Sequence, residues 1–230
     1  MSESKRILIV GGGGQARVVI DAARCAGHDV LGVLSRDAAI GSDVLGCPVV
    51  GSDADAPSLI ARMGAGLDGL VVAIGDNATR EAVVSRLRAA NPALAFVAVV
   101  HPSAIVASSA LIGPGAMIHA GAVVGVQASI GAHCIVNTNA SVDHDDVLED
   151  FASVAPGATL GGTVRVGRAA AVCLGAKVIQ GINLGARSVI GAGATVVRDV
   201  PPEVVVMGTP ARVVRAVHTL RTQATAPIKP

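Results

Sequence analysis

From Val106 onward an aliphatic side chain recurs at every sixth residue and divides residues 106–201 into sixteen six-residue units, here called hexads. All sixteen positions hold Val, Ile or Leu, whereas the other 80 positions hold only 12 such residues. Four places after the aliphatic the residue is usually small, and it is Ala in 10 of the 16 hexads. A six-residue period without a slip predicts a parallel β-helix, in which three hexads form one 18-residue coil of a narrow prism.

Residues 1–100 instead alternate between short apolar runs and amphipathic stretches, which predicts a small parallel sheet covered by helices. The pattern predicts strands at residues 6–10, 30–34, 70–74 and 94–100, and helices at residues 15–26, 53–63 and 78–90. Asp53 is predicted to cap the second helix. The sequence therefore predicts a Rossmann-like α/β domain over residues 1–100, a β-helix over residues 101–216, and a tail over residues 217–230, read as a short helix followed by disorder.

Composition agrees with a narrow prism, because the chain has no Trp, no Tyr and only two Phe. A net charge of +1 gives no reason to expect nucleic acid or an anionic membrane as a partner. No signal peptide or membrane span is predicted, and the four cysteines form no CxxC pair. These features favour a cytoplasmic protein without disulfides or structural zinc.

One short stretch departs from the pattern of aliphatic and small residues, since five of the six acidic residues of the prism lie between Asp143 and Asp150. His144 and Asp145 occupy outward places at a corner, and Gly162, one coil above, leaves an open space beside the imidazole. A histidine next to a carboxylate is typical of a general base, although exposed charges are more often only solvated. Asp146 occupies the inward small place, where a carboxylate requires either hydrogen-bond donors or a local opening of the coil.

A metal site is not expected, because His119, His133 and His144 occupy three different hexad places. Near the N-terminus, "ILIVGGGGQAR" gives a strand, a glycine turn and a helix start, a context that can hold a phosphate. Gly11-x-Gly13-x-x-Ala16 with Asp37 is similar to a dinucleotide fingerprint. A domain with only about four strands lacks the second mononucleotide-binding half of a dinucleotide fold, which favours one nucleotide diphosphate as the ligand.

A glycine-turn domain, then "HPSA", then the hexad prism with "IGDNATR" and "NTNASVDHDD" resembles the sugar-nucleotide acetyltransferases of bacterial glycan synthesis. The resemblance covers nearly the whole chain. It implies a left-handed β-helix, a homotrimer with active sites between neighbouring prisms, and acetyl-CoA as the co-substrate. It also implies N-acetylation of the 4-amino group of a UDP-, dTDP- or GDP-linked sugar such as GDP-perosamine.

The resemblance also implies roles for particular residues. His144 matches the catalytic base and Asp145 the acid that holds it, with Asp where some relatives have the longer Glu. The implied substrate contacts are Asn137, Asp143, Gly12, Gly13, Arg17, Asp37 and Arg80. The implied CoA contacts are Ser153, Gly162, Leu174 and Ala192, and "GTPAR" at residues 208–212 matches the family's C-terminal signature.

Three alternatives remain open at this point. The same base chemistry fits an O-acetyltransferase acting on a sialic acid or a related sugar. A trimeric prism with a nucleotide-binding domain also fits a non-catalytic sensor. A metal-dependent hydratase built on the same prism is the third alternative.

Overall fold

The computed structural model describes residues 4–217, which form an α/β domain packed against one side of a three-sided prism. The domain contains strands β1 (Arg6–Val10), β2 (Asp29–Leu34), β3 (Asp43–Val44), β4 (Cys47–Gly51) and β5 (Gly69–Val72), and helices α1 (Gly14–Cys25), α2 (Ala56–Met63) and α3 (Asn77–Ala90). The strand order is β3-β4-β2-β1-β5, with β3 antiparallel to β4 and the other neighbouring pairs parallel. The predicted tail beyond residue 217 lies outside the described residues.

The α/β architecture is confirmed, with local corrections. Strands β3 and β4 were not predicted, and only Val99–Val100 of the predicted strand 94–100 is a strand, β6, which pairs with the prism. Asp53 is not a helix cap, because Ser52 and Asp55 form the capping box of a 3₁₀ turn at Asp53–Asp55 that precedes α2. The other 3₁₀ turn, Gly64–Gly66, follows α2 directly.

The β-helix is confirmed, and its strands follow the hexads one by one. Each strand has two residues and ends on the hexad's aliphatic, whose side chain points into a common apolar core. In chain order, β7 to β22 are Ile105–Val106, Leu111–Ile112, Met117–Ile118, Val123–Val124, Ser129–Ile130, Ile135–Val136, Ser141–Val142, Val147–Leu148, Ser153–Val154, Thr159–Leu160, Arg165–Val166, Ala171–Val172, Lys177–Val178, Asn183–Leu184, Val189–Ile190 and Thr195–Val196. An antiparallel pair, β23 (Val204–Met207) and β24 (Arg212–Ala216), closes the upper end.

The first domain covers one side of the prism and leaves two open. The covered face is the sheet that runs from β6 through β9, β12, β15, β18 and β21 to β23 and β24. Met117 and Ile135 of this face share a buried cluster with Val19 and Ile20 of α1. The open faces are the sheets β7-β10-β13-β16-β19-β22 and β8-β11-β14-β17-β20. Within residues 4–217, no helix has the length and apolar character needed to cross a bilayer.

Candidate active site

A cleft of about 1380 Å³ separates the glycine turn from the upper part of the covered face. Its domain side is formed by the turn after β1, the end of β2 and the start of α3, and its prism side includes Ser153, Ala171 and Val189. Three predicted substrate contacts, Gly12, Gly13 and Asp37, line this cleft. The carboxyl ends of parallel strands therefore meet at a cavity of ligand size, as they do in other open α/β sheets.

The glycine turn brings the backbone close to its neighbours. Gly11 has φ +120°, and a Cβ there would lie 2.8 Å from the carbonyl oxygen of Ala73. By contrast, a Cβ at Gly13 would meet nothing within 4 Å, so the backbone at the start of α1 faces open space. Arg17, one turn into α1, is exposed and is not among the residues that line the cleft.

An ion triad that the sequence analysis missed lies at the same cleft. The buried carboxylate of Asp53 accepts hydrogen bonds from Arg36 and Arg86, each at 2.6 Å, and both guanidinium groups are half exposed. Burial opposes the charge on Asp53, but the two guanidinium groups outweigh this effect and lower the pKa of the carboxyl. The triad itself carries one net positive charge, and its two half-exposed guanidinium groups can donate hydrogen bonds to an anionic ligand.

Arg80 does not have the ligand-binding position that was predicted for it. Its side chain is fully buried, and its nitrogens donate to the carbonyl oxygens of Ile74, Gly75, His133 and Phe151 and to the side chain of Asn77. Burial lowers its pKa to about 10, so it stays charged. These contacts join α3 to the prism, and Arg80 therefore links the two domains instead of facing the cleft.

His144 and Asp145 form the pair that the sequence predicted. The Nδ1 atom of His144 lies 2.8 Å from Oδ2 of Asp145, so the shorter acid does reach the ring. Because the carboxylate accepts a proton held on Nδ1, Nε2 is left with a lone pair. This hydrogen bond is the largest of the effects that raise the pKa of His144. A half-exposed imidazole with a held tautomer can accept a proton at Nε2.

The space beside Gly162 is occupied by the imidazole itself. A Cβ on Gly162 would overlap Nε2 and Cε1 of the His144 ring. The expectation of an open gap beside the ring is therefore wrong in detail, because the ring lies over the glycine backbone. Any residue larger than glycine at this place would displace the imidazole.

Asn137 and Asp143 have polar surroundings of different kinds. Asn137 is half buried and accepts a hydrogen bond from the backbone N–H of Thr138 at 2.8 Å, whereas Asp143 accepts from the N–H of His144 at 2.7 Å. Asn137 follows β12 and His144 follows β13, so the two lie on successive corners of one coil.

The predicted CoA contacts lie in three places. Ser153 lines the cleft, Gly162 is buried beneath His144, and Leu174 and Ala192 are exposed at one corner on successive coils. Only the last two form a continuous exposed strip.

The histidines below this region are buried and neutral. His119 contacts Gln15, with 2.9 Å between Nε2 of each side chain, and burial lowers its pKa to about 4. His133 lies between Phe96 and Phe151, and burial also lowers its pKa to about 4. Both rings contribute to packing between the domain and the prism.

One group within residues 4–217 brings together metal-ligating atoms, namely Asp21, Cys25 and His101, whose donor atoms lie within 4.8 Å of one another. Nδ1 of His101 accepts the backbone N–H of Ser103 at 3.0 Å, which places the ring proton on Nε2. Neither ring nitrogen then has a free lone pair, so the donor set fits a metal poorly, and we assign no metal site to it.

Comparisons with known proteins agree with this fold. A family model described as the PglD N-terminal domain matches residues 6–87. A variant of the GDP-perosamine N-acetyltransferase from Caulobacter crescentus, solved with CoA and GDP-perosamine, is 39% identical over 90% of this chain and 95% of that chain, with a TM-score of 0.84. The acetyltransferase domain of PglB from Neisseria gonorrhoeae FA1090, in complex with acetyl coenzyme A, is 31% identical over 92% of this chain and 100% of that chain, with a TM-score of 0.82.

Curated relatives match over shorter segments. The galactoside O-acetyltransferase of Escherichia coli (strain K12) is 45% identical over 49 residues, which is 20% of this chain and 24% of that enzyme. A serine acetyltransferase of Synechococcus elongatus is 37% identical over 76 residues, 30% of this chain and 31% of that enzyme. The chain thus spans between about a quarter and a third of the length of these two relatives, both of which are acetyltransferases.

Proposed function

The chain belongs to the left-handed β-helix sugar-nucleotide acetyltransferases, the family of the Caulobacter crescentus enzyme, and from this premise we propose that it acetylates an amino sugar. The donor is acetyl-CoA, and the acceptor is the 4-amino group of a nucleotide-linked sugar. The pair of His144 and Asp145, with Nε2 free above Gly162, is the observation that carries this proposal.

In the proposed reaction the neutral amine attacks the thioester carbonyl carbon directly. A C–N bond forms, the C–S bond breaks, and Nε2 of His144 accepts the proton that the nitrogen loses. The departing CoA thiolate then takes up a proton and leaves as the thiol. Asp145 accepts the Nδ1 hydrogen bond and stabilises the imidazolium while it exists.

The tetrahedral intermediate requires a hydrogen-bond donor for its oxyanion. Backbone N–H groups near Gly162 are the candidates, because the imidazole lies at this corner. A donor fixed before the reaction stabilises the developing charge without reorganisation, which is typically worth 2.7–4 kcal/mol, on the order of 100- to 1,000-fold in rate.

The cleft is the proposed site for the nucleotide part of the acceptor. Gly12 and Gly13 supply backbone beside the diphosphate, and Asp37 lies within reach of the ribose or base. The net positive charge of the Asp53 triad favours the same ligand. GDP-perosamine is the leading acceptor, because the Caulobacter crescentus enzyme was solved with it at 39% identity to this chain.

The proposed assembly is a homotrimer with acetyl-CoA between neighbouring prisms. The open faces and their shared corner carry exposed apolar side chains, including Ile105, Leu111 and Val126. Asn137 and His144 lie on different corners of one chain, so an active site that uses both draws them from two protomers. Leu174 and Ala192 provide the exposed strip proposed for CoA.

The test is acetyl transfer by the purified protein, followed as release of free CoA. We expect turnover with 4-amino sugars linked to GDP, UDP or dTDP, and none with the matching 4-hydroxy sugars. His144→Asn should lower kcat by about 100- to 10,000-fold, since general-base catalysis contributes that much. Full activity in this variant would remove the proposed base, and transfer only to hydroxyl acceptors would favour an O-acetyltransferase.

A further inference from the structure

Asp146 occupies a place that the fold normally fills with alanine. It is the fifth residue of its hexad and is fully buried in the prism. Ala128 and Ala140 hold the same place in nearby hexads and are equally buried. A carboxylate here requires donors from the surrounding backbone, because the neighbouring core is aliphatic.

Two backbone amides from different coils supply those donors. Oδ2 of Asp146 accepts the N–H of Asp143 at 2.8 Å, and Oδ1 accepts the N–H of Val164 at 2.7 Å. Asp143 begins the corner that carries His144, and Val164 ends the corner that carries Gly162. The carboxylate therefore connects the two corners that make up the proposed catalytic site.

These bonds replace two hydrogen bonds of the regular repeat. Elsewhere the amide after the hexad aliphatic donates to the coil above, as Gly125 donates to Val142 at 2.8 Å, but the amide of Asp143 donates to Asp146. Accordingly, β13 and β16 pair only through Ser141 and Thr159, whereas β10 and β13 pair through two residues each.

The second replaced bond lies in the corner above. In regular corners the amide of the fifth residue donates to the carbonyl three residues earlier, as Ala140 donates to Asn137 at 2.9 Å. The amide of Val164 donates to Asp146 instead. The sequence offered two alternatives for Asp146, hydrogen-bond donors or a local opening of the coil. Both occur, because two amides donate to the carboxylate and the pairing of β13 with β16 is locally interrupted.

We propose that Asp146 is a positioning residue, whose carboxylate holds the His144 corner and the Gly162 corner in the relation that places the imidazole over Gly162. Only the expected effect of Asp146 on catalysis rests on the proposed function. The geometry itself rests on the two backbone amides that donate to Asp146. In the described part of the prism, the fifth residue of no other hexad accepts hydrogen bonds from backbone amides through a side-chain oxygen.

The charge of Asp146 adds a second effect on the base. Burial raises the pKa of Asp146 to about 6, against the two amide hydrogen bonds, so the group is largely ionised at neutral pH. The other charged groups that act on it are Asp143 and His144. Its negative charge in turn helps to raise the pKa of His144, together with Asp143 and Asp145.

The experiment compares Asp146→Ala, Asp146→Asn and Ser188→Ala. Ser188 is the matched control, because it is a buried polar residue at the same hexad place and its Oγ has no hydrogen-bond partner in the described structure. Asp146→Ala places at this position the residue that the repeat prefers, so we expect a folded protein. Its kcat should fall about 10- to 100-fold, since small misplacements cost this much, with smaller changes in KM.

The pH profile and an NMR titration of the His144 ring separate positioning from a merely structural role. In both Asp146 variants the pKa of His144 should fall, and the acid limb of kcat/KM should move to lower pH. Asp146→Asn keeps the size and one acceptor, so it should recover part of kcat but not the pH shift. Ser188→Ala should change neither.

Amide hydrogen exchange gives a readout that does not depend on catalysis. We expect faster exchange at Asp143 and Val164 in Asp146→Ala, and unchanged exchange in Ser188→Ala. Unchanged exchange, together with an unmoved His144 titration, would overturn the positioning role whatever the activity. A wild-type protein without acetyl transfer would instead contradict the proposed function, while the exchange and titration would still decide the role of Asp146.

Discussion

Asp145 shows how the fold prepares the catalytic pair. Its backbone has φ +59°, the left-handed conformation that the fourth residue of a hexad adopts at most corners. Gly121 and Asn139 hold that place in two other hexads, with φ +68° and +54°. Aspartate and asparagine tolerate this conformation better than most residues. The corner thus directs the carboxylate of Asp145 back toward the imidazole of His144. Asp145 therefore both forms the turn and holds the catalytic base proposed above.

Replacing Asp145 by Asn separates the charge from the turn. The variant keeps the side-chain size and a residue type that tolerates positive φ, but it loses the carboxylate that raises the pKa of His144. The neutral base is then populated at lower pH, so the acid limb of kcat/KM should move to lower pH. The fall in kcat should be smaller than in His144→Asn, as measured by CoA release between pH 5 and 9 (roughly the span over which a histidine titrates).

Gln127→Asn is the matched control, because Gln127 has φ +58° at the same hexad place one coil below. Its profile should follow the wild type. An acid limb that stays in place in Asp145→Asn would show that the carboxylate does not set the protonation of the base.

At the residue scale, the sequence predicted an interaction between neighbours in the chain but not the interactions between residues that are far apart in the chain. The pair of His144 and Asp145 is adjacent in sequence, so an excess of charge in one hexad was enough to find it. Arg36 and Arg86 reach Asp53 from 17 and 33 residues away, and no local pattern connects them. The sequence assigned Arg80 to the ligand, and this assignment failed because the burial of Arg80 depends on how the two domains pack.

At the element scale, the start of α3 acts as a clamp between the domains. Asp76 caps the helix by accepting the N–H of Thr79 at 2.8 Å. Asn77 donates to the carbonyl oxygens of Ala169 and Ala170, while Arg80 donates to those of other prism residues. The motif "GDNATR" therefore packs the helix on the prism and also lines the cleft, because all of its residues except Arg80 belong to the cleft wall.

Arg80→Lys tests the clamp. A lysine keeps the positive charge but cannot satisfy carbonyl groups in several directions, so buried acceptors lose their donors. We expect the free energy of unfolding to fall by about 1–3 kcal/mol, the typical cost of leaving buried hydrogen-bonding groups without partners. Denaturant unfolding, monitored by circular dichroism, measures this change.

Arg62→Lys, at an exposed position of α2, is the control and should change stability by less than about 0.5 kcal/mol. If Arg80→Lys were as stable as this control, the guanidinium contacts would not hold the domains together.

The elements of the prism could be predicted almost residue by residue, whereas those of the first domain could not. The hexad period repeats sixteen times, so each unit confirms the register of the others. Strand β3 has only two residues, and β4 contains Pro48, so neither gives a clear strand pattern. Within the predicted strand 94–100, Phe96 makes only an isolated bridge to Leu70.

At the scale of the whole molecule, the two domains share their buried clusters. Phe151 and Ala169 of the prism lie in the same cluster as Leu70 and Val84 of the α/β domain. Shared packing therefore holds the glycine turn and the upper part of the covered face in one arrangement, with the cleft between them. Preorganisation of this kind reduces the conformational cost of binding.

The two open faces of the prism and their shared corner carry exposed apolar side chains. Leu111 is 68% exposed and Val126 is 58% exposed, and Val126 lies one coil below His144. Apolar side chains grouped beside a candidate catalytic corner are typical of a surface that another protein covers. In the proposed homotrimer that surface is the contact between prisms.

Leu111→Glu tests this assembly, because a carboxylate in an apolar contact between protomers would be left without a partner. We expect light scattering to give three times the 22.7 kDa chain mass for the wild type and a single chain mass for the variant. Activity should fall together with the mass, since the proposed site draws residues from two protomers. Ile40→Glu is the control, because Ile40 is 74% exposed and belongs to the first domain. An active, monomeric Leu111→Glu variant would show that one chain holds a complete active site.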